Sequence, residues 1–575
     1  MNKNNKMKNI ILIVLLSSVL FVSCNKFLDE TPQGVVSSED LNSPENIEKL
    51  VVGAYSSLGI DHFIGSTSMW PQGSVRSGDA YKGGAEPNDQ AEIHFFEVFT
   101  QNRVDNGHID GVWFRLYQNI SRANDALSRL NNIDEADFEF KKIRQAEMRF
   151  LRGHFYFQLK TLFKYMPYID ETTPKEEYKI ISNREYSNDE LWNKIADDFR
   201  FASDNLPPSQ AEVGRANKFA AKAYLAKTLL FQAYKQDEKN QVISIDNEKL
   251  NEVVTLTSEL ENKYQLHDDF AKNFLSQFEN GSESIFAIQY SKDDATAEGR
   301  LDWGHKLNYP MNEEYGCCGF HQPSQNMVNA FKTSADGLPM FTTYNNKDVK
   351  IEEDFKINTF DPRLDHTVAI PGHPYKYIPN FIFQKSWIRS PQIYGSFMSM
   401  KETVGPDDPA FQKAPPFMSS SKNWDIIRYD DVLLWKAEAL IELDKPMEAL
   451  ELINKIRRRA AESTSRLKQA DGTYSSNYKI EEYRPGVNCT WTREFAREAL
   501  RWERRLEFSM EGNRFFDLTR WGIAAEYLND YFAVEKAKSS HLKDAFFTKG
   551  RDEYFPIPLA QMNLSSGLYI QNVGW

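Results

Sequence analysis

Apolar residues recur every three to four positions along much of this chain, the spacing that puts them on one face of an α-helix. The pattern is strongest after His108 and predicts helices in neighbouring pairs. An earlier helix is predicted from Ser43 to Leu58, with the serine as N-cap and Pro44 at the first helical position. The later predicted pairs are Gly111–Leu130 with Lys141–Lys164, Ser187–Leu206 with Gly214–Tyr234, and Tyr429–Leu443 with Pro446–Arg459.

Helix pairs of this length, with alanines where helices would cross, are similar to tetratricopeptide-type hairpins. The alanines of the second pair are Ala216, Ala220, Ala221, Ala223 and Ala226. A single hairpin cannot bury its apolar face, so we expect the separated pairs to pack together as one superhelical scaffold. The predicted fold is therefore mostly α, a tetratricopeptide-like scaffold that carries a loop-rich recognition region.

Two stretches depart from the helical period. Proline, glycine, asparagine and aromatic residues dominate from Asn273 to Trp424, where a short strand is predicted at Glu283–Tyr290. Glycine, serine, aspartate and proline are dense from His62 to Glu97. Long irregular stretches in a compact protein are usually functional, so we expect recognition to take place here.

The segment from Thr492 to Gly522 carries the most regular pattern. An apolar row at helical spacing consists of Phe495, Ala499, Trp502, Leu506 and Met510. A second row contains Arg493, Arg497, Arg501 and Arg505. Like charges four residues apart repel. We therefore predict that acidic residues of the same helix pair with these arginines, namely Glu494, Glu498, Glu503 and Glu507.

The first 24 residues have the pattern of an export signal. Lysines precede two short apolar runs, Ile10–Leu16 and Val19–Val22, and the small Ser23 comes directly before Cys24. This arrangement is similar to a lipoprotein signal, in which residues 1–23 are removed and the cysteine thiol is acylated. The mature protein would then hang from a membrane by the acyl chains on its first residue. The alternative is an ordinary signal peptide with an incidental cysteine.

Composition limits the classes of partner. The chain has 575 residues, of which 41% are hydrophobic and 26% charged, and this suits a folded body with a sizeable core. The formal net charge of −13 argues against non-specific nucleic-acid binding, which needs a basic face. Aromatic residues make up 13% of the chain, and aromatic faces are what sugar rings stack on.

The sequence lacks the common catalytic signatures. It has no G-x-S-x-G elbow, no HExxH, no Walker A and no Rossmann glycine set. Its 10 histidines have no metal-ligand spacing, and its 4 cysteines include no CxxC pair. We expect no catalytic residue, no metal and no cofactor. A glycosidase-like pair of carboxylates stays open, because acidic residues are abundant and any two can meet in a fold.

Cys317 and Cys318 are adjacent, within the stretch EYGCCGFHQP. Neighbouring thiols in an exported protein tend to oxidise. A bridge between them would present a flat, rigid sulfur surface, which Tyr315 and Phe320 could extend into part of a sugar platform. The alternative is a structural turn or two free thiols, and both interpretations stay open.

Residues beside polar partners in the two loop-rich stretches are the other candidates for glycan contact. Aromatic faces stack on the apolar faces of sugar rings, and arginine and aspartate hydrogen-bond neighbouring hydroxyls in pairs. A single aromatic residue is more often core than ligand contact. The candidates are Trp70, Asp79 and Tyr81 in the first stretch, and Trp387, Arg389 and Tyr394 in the second.

Five stretches together carry a family resemblance. They are CNKFLDETP from Cys24, GVWFRLYQNISRAN from Gly111, AEMRFLRGHFYFQL from Ala146, RYDDVLLWKAEALIEL from Arg428, and RRLEFSMEGNRFFDLTRWG from Arg504. These stretches resemble the SusD/RagB family of bacterial surface lipoproteins. The resemblance implies a SusD-like N-terminal region at 24–235 and a RagB/SusD C-terminal region at 236–575, loop-rich over 273–424 and helical afterwards.

The resemblance also implies a function. The protein would be lipid-anchored at the cell surface in the outer membrane and would bind a poly- or oligosaccharide without chemistry. It would pass that glycan to a SusC-like TonB-dependent transporter, with the scaffold side facing the transporter and the loop side capturing sugar. One alternative is a peptide-capturing importer subunit, and another is a surface glycoside hydrolase with a helical body.

Overall fold

The structure is a computed structural model, and it describes residues 40–59, 68–295 and 300–575. The predicted signal peptide and Cys24 lie outside the described residues. The helices are α1 Pro44–Tyr55, α2 Ala91–Val98, α3 Gly107–Asn132, α4 Lys141–Phe163, α5 Asn188–Asn205, α6 Lys218–Ala233, α7 Asn247–Ser258, α8 Gln325–Ala330, α9 Glu352–Ile357, α10 Arg363–Thr367, α11 Pro391–Tyr394, α12 Tyr429–Glu442, α13 Pro446–Glu462, α14 Arg493–Glu507, α15 Arg514–Arg520, α16 Ala524–Glu535 and α17 Leu559–Leu564.

The strands are short and form two-stranded pairs. They are β1 Ala80–Gly83, β2 Tyr234–Gln236, β3 Val242–Ile245, β4 Ser284–Ile288, β5 Phe320–Pro323, β6 Lys332–Thr333, β7 Thr359–Phe360, β8 Val368–Ala369, β9 Met398–Ser399, β10 Phe411–Ala414, β11 Phe417–Ser420 and β12 Trp424–Arg428. The antiparallel pairs are β1 with β5, β2 with β3, β4 with β12, β6 with β7, β8 with β9 and β10 with β11.

The helices form one continuous layer. Each helix from α3 to α7 packs on the next, α7 packs on α12, and α12 packs on α13 and α14. The predicted single tetratricopeptide-like scaffold is therefore confirmed. Helix α7, which the sequence analysis did not identify, joins the early hairpins to the late ones by burying Leu250 and Val253. Within the described ranges, every helix is too short or too polar to cross a membrane.

The predicted caps are present where hydroxyl groups precede the helices. Ser187 Oγ accepts a hydrogen bond from the backbone N–H of Glu190 at 3.3 Å, and Glu190 Oε2 accepts from the N–H of Ser187 at 2.8 Å. This is the capping box expected at the start of α5. Thr492 Oγ1 accepts from the N–H of Phe495 at 3.2 Å and caps α14.

The arginines of α14 pair with other elements. Arg493 and Arg497 both pair with the carboxylate of Glu442 at the end of α12, at 3.2 and 2.7 Å. Glu503 pairs with Arg363 at 2.7 Å and with Arg457 at 3.1 Å. The prediction that acidic residues of the same helix answer its arginines is wrong. The physical reason is that Glu503 and Glu507 lie in the buried half of α14, where charges need partners from the elements that surround them, and that Glu442 of α12 lies against both Arg493 and Arg497.

Gly512 follows α14, and the backbone of residues 68–73 packs closely against it. Its φ of +79° lies in the left-handed region that favours glycine. A Cβ at Gly512 would overlap the carbonyl group of Ser68, and a Cβ at Gly73 would overlap the carbonyl group of Gly512. The segment around residue 70 therefore packs directly on the end of the signature stretch.

Candidate functional site

Three loops meet at the surface on the loop-rich side of the scaffold. The backbone N–H of Gly84 donates to the carbonyl of Gly319 at 2.8 Å, and the N–H of Met311 donates to the carbonyl of Trp387 at 2.8 Å. Pairing of β1 with β5 aligns the first two loops. The loops are 84–89 after β1, 311–319 before β5, and 381–395, which includes α11.

Cys317 and Cys318 are joined by a disulfide bond. Of the two interpretations of this pair, the structure supports the bridged one. Cys318 is buried in a cluster with Trp70, Phe320 and Met510, whereas Cys317 is half-buried and only packs against that cluster. The bridge therefore holds one sulfur inside and the other near the surface.

Trp387 is half-buried beside this turn. Its ring lies 4.8 Å from that of Phe381 and 5.4 Å from that of Phe383, centroid to centroid, and the second contact is edge-on. Tyr375 makes a further edge-on contact at 6.0 Å. These three ring contacts hold the indole in place, while the side chain stays partly exposed. A fixed, partly exposed ring is what stacking on a sugar needs.

Arg389 is exposed two residues after the tryptophan. Its Nη1 lies 2.8 Å from Oδ2 of Asp89, in the loop after β1, and the arginine side chain is 37% exposed. Arg389 also lies against the cysteine turn, because a Cβ at Gly319 would be 3.6 Å from the Cβ of Arg389. The guanidinium is thus held at the surface with donors free for a ligand.

Cys317, Trp387 and Arg389 form what we call the loop patch. It combines an apolar sulfur and indole surface with a guanidinium, which suits the apolar face and the hydroxyl groups of a sugar respectively. An ion pair between Glu314 and Lys413 at 3.2 Å lies beside it. The loop patch brings together three of the predicted site residues, and Cys318, a fourth, supports it from inside.

Trp70 and Asp79 belong to the interior instead. Trp70 is 0% exposed, and its Nε1 donates to the carbonyl of Gly304 at 3.2 Å. Asp79 is 1% exposed, and its Oδ1 accepts two hydrogen bonds from Arg505. An enclosed ring has no face for a sugar, and a carboxylate used by a buried arginine has no role at the surface. We therefore withdraw both residues from the candidate surface.

Tyr81 and Tyr394 lie together, but away from open solvent. Both are buried, their ring centroids are 6.5 Å apart, and both line a cavity of ≈ 140 Å³. Burial raises the pKa of each hydroxyl. These two predicted residues therefore share a recess and do not extend the loop patch.

Sequence reasoning missed two residues that build the loop patch. Asp89 holds Arg389, and Phe381 makes the shortest ring contact of Trp387. The aromatic alternation in FIFQKSW offered a signal for Phe381. Nothing local pointed to Asp89, since its partner is 300 residues away.

Three carboxyl groups in the described part of the chain lie close enough to share a cation. Their ligand atoms, on Glu283, Asp430 and Glu507, lie within 4.8 Å of one another. Arg459 pairs with Glu283 at 2.9 Å and also with Glu507, and Arg428 pairs with Asp430 at 2.8 Å. Burial raises the pKa of Asp430 to about 6. Because guanidinium groups already supply positive charge, this cluster fits a structural ion network better than a metal or catalytic site.

The helical hairpins form one scaffold, and the loop patch lies partly exposed on its loop-rich side. A family model described as SusD family matches residues 282–575. A second model, described as starch-binding associating with outer membrane, matches residues 26–230. The chain belongs to the SusD family.

The similarity of this chain to its relatives and to solved structures extends over nearly its full length. SusD-like protein P25 of Formosa agariphila is 23% identical over 547 residues, covering 91% of this chain and 92% of its own. A SusD homolog from Bacteroides thetaiotaomicron superposes with a TM-score of 0.69 at 20% identity, covering 93% of this chain and 98% of its own. Surface glycan-binding protein A from Bacteroides thetaiotaomicron, in complex with laminarihexaose, superposes with a TM-score of 0.64 at 19% identity, covering 92% and 99%.

Proposed function

We propose that this protein is a cell-surface glycan-binding lipoprotein that captures poly- or oligosaccharide on the loop patch. The observation that carries the proposal is the half-buried Trp387 held beside exposed Arg389 and the Cys317–Cys318 bridge. A protein of the same fold in complex with laminarihexaose supports it. The function is binding without chemistry.

The location follows from the N-terminal sequence. Acylation of Cys24 after removal of residues 1–23 would anchor the chain in the outer membrane by its lipid, with the folded body at the cell surface. The family model's description, associating with outer membrane, supports this location. Metabolic labelling with a radioactive or clickable palmitate tests it. Label on the wild type and none on Cys24→Ala is the expected result.

The receiving partner would be a SusC-like TonB-dependent transporter. The C-terminal segment lies against α3 and the 180s loop: Gln561 donates to Asp110 at 2.8 Å, and Asn183 donates to the carbonyl of Ile570 at 2.9 Å. Exposed large apolar side chains in these segments are Phe114, Ile180, Leu564, Leu568 and Ile570. A set of exposed apolar residues of this size is typical of an interaction surface, so we assign this face to the transporter.

The test of capture is calorimetric titration of the purified protein with fructans, β-glucans, α-glucans, xylans and mannans, with product analysis on the same samples. We expect saturable binding to one class and no new reducing ends. Trp387→Ala should abolish binding. Phe140→Ala is the matched control, because Phe140 is an exposed aromatic on the helical scaffold (47% exposed) and far in sequence from the loops.

Other outcomes decide between the alternatives. New reducing ends that disappear when one carboxylate is removed would establish a glycoside hydrolase instead. Peptide co-purifying with the protein, with no glycan bound, would establish a peptide-capturing importer subunit. Binding that survives Trp387→Ala would overturn the assignment to the loop patch.

A further inference from the structure

Lys82 is a lysine of β1 with an enclosed side chain, and 0% of the residue is exposed. Its Nζ donates to the backbone carbonyls of Gly83 at 2.8 Å, of Glu86 at 3.0 Å and of Asp89 at 2.5 Å. An ammonium group has three donors, and all three are used here. We call the three carbonyl oxygens the carbonyl cage. One side chain thus holds the loop 84–89 at its beginning, its middle and its end.

The carbonyl cage depends on the positive charge at its centre. Carbonyl oxygens carry partial negative charge, and three that point at one place repel one another unless a cation lies between them. A charged donor also makes stronger hydrogen bonds than a neutral one. Burial lowers the pKa of Lys82 from 10.5 to about 8, which leaves most of the ammonium protonated at pH 7. We therefore expect the loop to change its conformation when the ammonium is removed.

Lys82 also contacts the other two loops that meet at the surface. Its Nζ lies 5.1 Å from the ring centroid of Phe320, the residue that follows the loop 311–319. It lies 5.3 Å from the ring centroid of Tyr394, which belongs to α11 in the loop 381–395. An ammonium is attracted to the negative face of an aromatic ring. The same buried group therefore packs against all three parts of the structure that carry the loop patch.

Asp89 joins the carbonyl cage to the surface. Its backbone carbonyl accepts from Lys82, and its Oδ2 lies 2.8 Å from Nη1 of Arg389. The same Oδ2 accepts from the N–H of Ala85 at 3.0 Å, and the carbonyl of Ala85 accepts from Oγ of Ser390. The loop 84–89 thus connects the interior lysine to two consecutive residues of the loop 381–395. A shift of Asp89 would move the guanidinium of Arg389 with it.

We infer that Lys82 is a positioning residue for glycan binding, which fixes Asp89 through the carbonyl cage and thereby aims Arg389. The lysine is enclosed and does not touch the glycan. It acts by holding the guanidinium in place before the ligand arrives, so that binding does not have to order it. The inference rests on the proposed function, because that proposal assigns Arg389 to the glycan.

The test is a double-mutant cycle between Lys82 and Arg389. The probe is the panel polysaccharide that saturates the wild-type protein in calorimetric titration, whether fructan, β-glucan, α-glucan, xylan or mannan. Lys82→Met keeps an unbranched apolar side chain and removes the ammonium. We expect it to lower the affinity about two- to tenfold, as one misplaced hydrogen-bonding group would, with unchanged stoichiometry. In an Arg389→Ala background, Lys82→Met should lower the affinity no further.

Lys160 provides a matched control on the scaffold. It is also a buried lysine, 1% exposed, and its Nζ donates to the carbonyl of Lys164 and to Oδ1 of Asn188, each at 2.5 Å. Lys160→Met should lower the melting temperature, as Lys82→Met does, and should leave the glycan affinity at the wild-type value. If Lys82→Met does not fold, Lys82→Gln takes its place in the cycle, because its amide keeps two donors for the cage.

The outcomes separate the inference from the proposed function. If no panel glycan binds the wild-type protein, the proposed function fails and the inference fails with it. If glycan binds and depends on Trp387 but Lys82→Met keeps the wild-type affinity, only the inference is wrong. It is also wrong if Lys82→Met weakens binding equally with and without Arg389, or if Lys160→Met weakens binding as much, since either result would show a general loss of stability.

Discussion

Arg505 and Asp79 form a buried ion pair across 426 positions of the chain, with Nε and Nη2 of the arginine 2.9 and 2.7 Å from Oδ1 of the aspartate. Nη2 also donates to Oδ1 of Asn326 at 2.7 Å. The pair ties α14, the helix with the most regular sequence pattern, to the residue directly before β1. Strand β1 leads into the loop that holds Arg389, so the helix supports the candidate surface from inside.

Breaking this pair should cost much of the stability of the fold. We expect Asp79→Ala to lower the free energy of unfolding by about 3–5 kcal/mol, because it leaves a guanidinium buried without its counter-charge. Denaturant unfolding measures the loss. The matched control, Asp79→Leu with Arg505→Met, removes both charges and should regain most of the lost free energy. A single variant within about 1 kcal/mol of wild type would contradict the structural role of the pair.

Asp89 should matter for binding and little for folding. Its pair with Arg389 is partly exposed, and such pairs contribute at most about 1 kcal/mol to stability. Asp89→Ala frees the guanidinium to move, so glycan affinity should fall about two- to tenfold. Calorimetric titration checks the affinity and thermal unfolding checks the fold. Asp89→Asn, which keeps an acceptor, should show a smaller loss, and unchanged affinity in Asp89→Ala would mean that the pair does not position Arg389.

The disulfide between Cys317 and Cys318 predicts which cysteines an alkylating reagent can label. Alkylation of the denatured, unreduced protein should label Cys489, which is a free thiol, and leave Cys317 and Cys318 unlabelled. Peptide mapping by mass spectrometry should find label on the pair only after reduction. Label on either residue before reduction would show that the thiols are free. Reduction of the folded protein should weaken glycan binding, because Cys317 forms part of the loop patch.

Two glycines provide a matched pair of substitutions. A Cβ at Gly73 would overlap the backbone of Gly512, which cannot move aside as a side chain can. We expect Gly73→Ala to destabilise the protein by about 3 kcal/mol or more. Gly53 lies inside α1 with nothing within 4 Å of an added Cβ. Gly53→Ala should therefore stabilise the protein by about 0.5–1 kcal/mol. In thermal unfolding, Gly73→Ala should lower the melting temperature and Gly53→Ala should raise it.

Glu553 should make stability fall as the pH rises. Burial raises its pKa from 4.5 to about 7, so the folded state holds the proton more tightly than the unfolded chain. The stability from this protonated group is fully present below about pH 4.5 and is lost as the pH rises through about 7. Each pKa unit corresponds to about 1.4 kcal/mol, which limits the loss between pH 5 and 8 to about 3 kcal/mol.

Glu553→Gln separates the contribution of the Glu553 carboxyl group to the pH dependence of stability from the contributions of other buried carboxyl groups. The amide oxygen can still accept from the N–H of Gly550, which lies 3.0 Å from Oε1. The variant should show a flatter dependence of the unfolding free energy on pH. Asp425 and Asp430, whose pKa values burial raises to about 6, should leave a residual slope of the same sign. An unchanged slope in Glu553→Gln would mean that this carboxyl group does not titrate in the range.

Local sequence patterns predicted some of the surface residues of the loop patch correctly, but the same kind of pattern failed for Trp70. Trp387 and Arg389 were predicted because they lie two residues apart in a loop, and the structure keeps both at the surface. Trp70 had the same kind of local setting, with glycine and polar neighbours, and it is buried against Met510 and Cys318. Those partners come from segments more than 200 residues away, which no local pattern contains.

The sequence by itself determined the helices, several of their caps and the family. These features depend on residues within a few positions of one another, through the period of the helix and the reach of a side chain to a neighbouring N–H. Only the tertiary structure decided which aromatic rings reach solvent, and that the arginines of α14 pair with α12, α15 and the residue before β1. Burial and ion pairing are set by contacts between distant segments, and their free energies depend on everything that surrounds the groups.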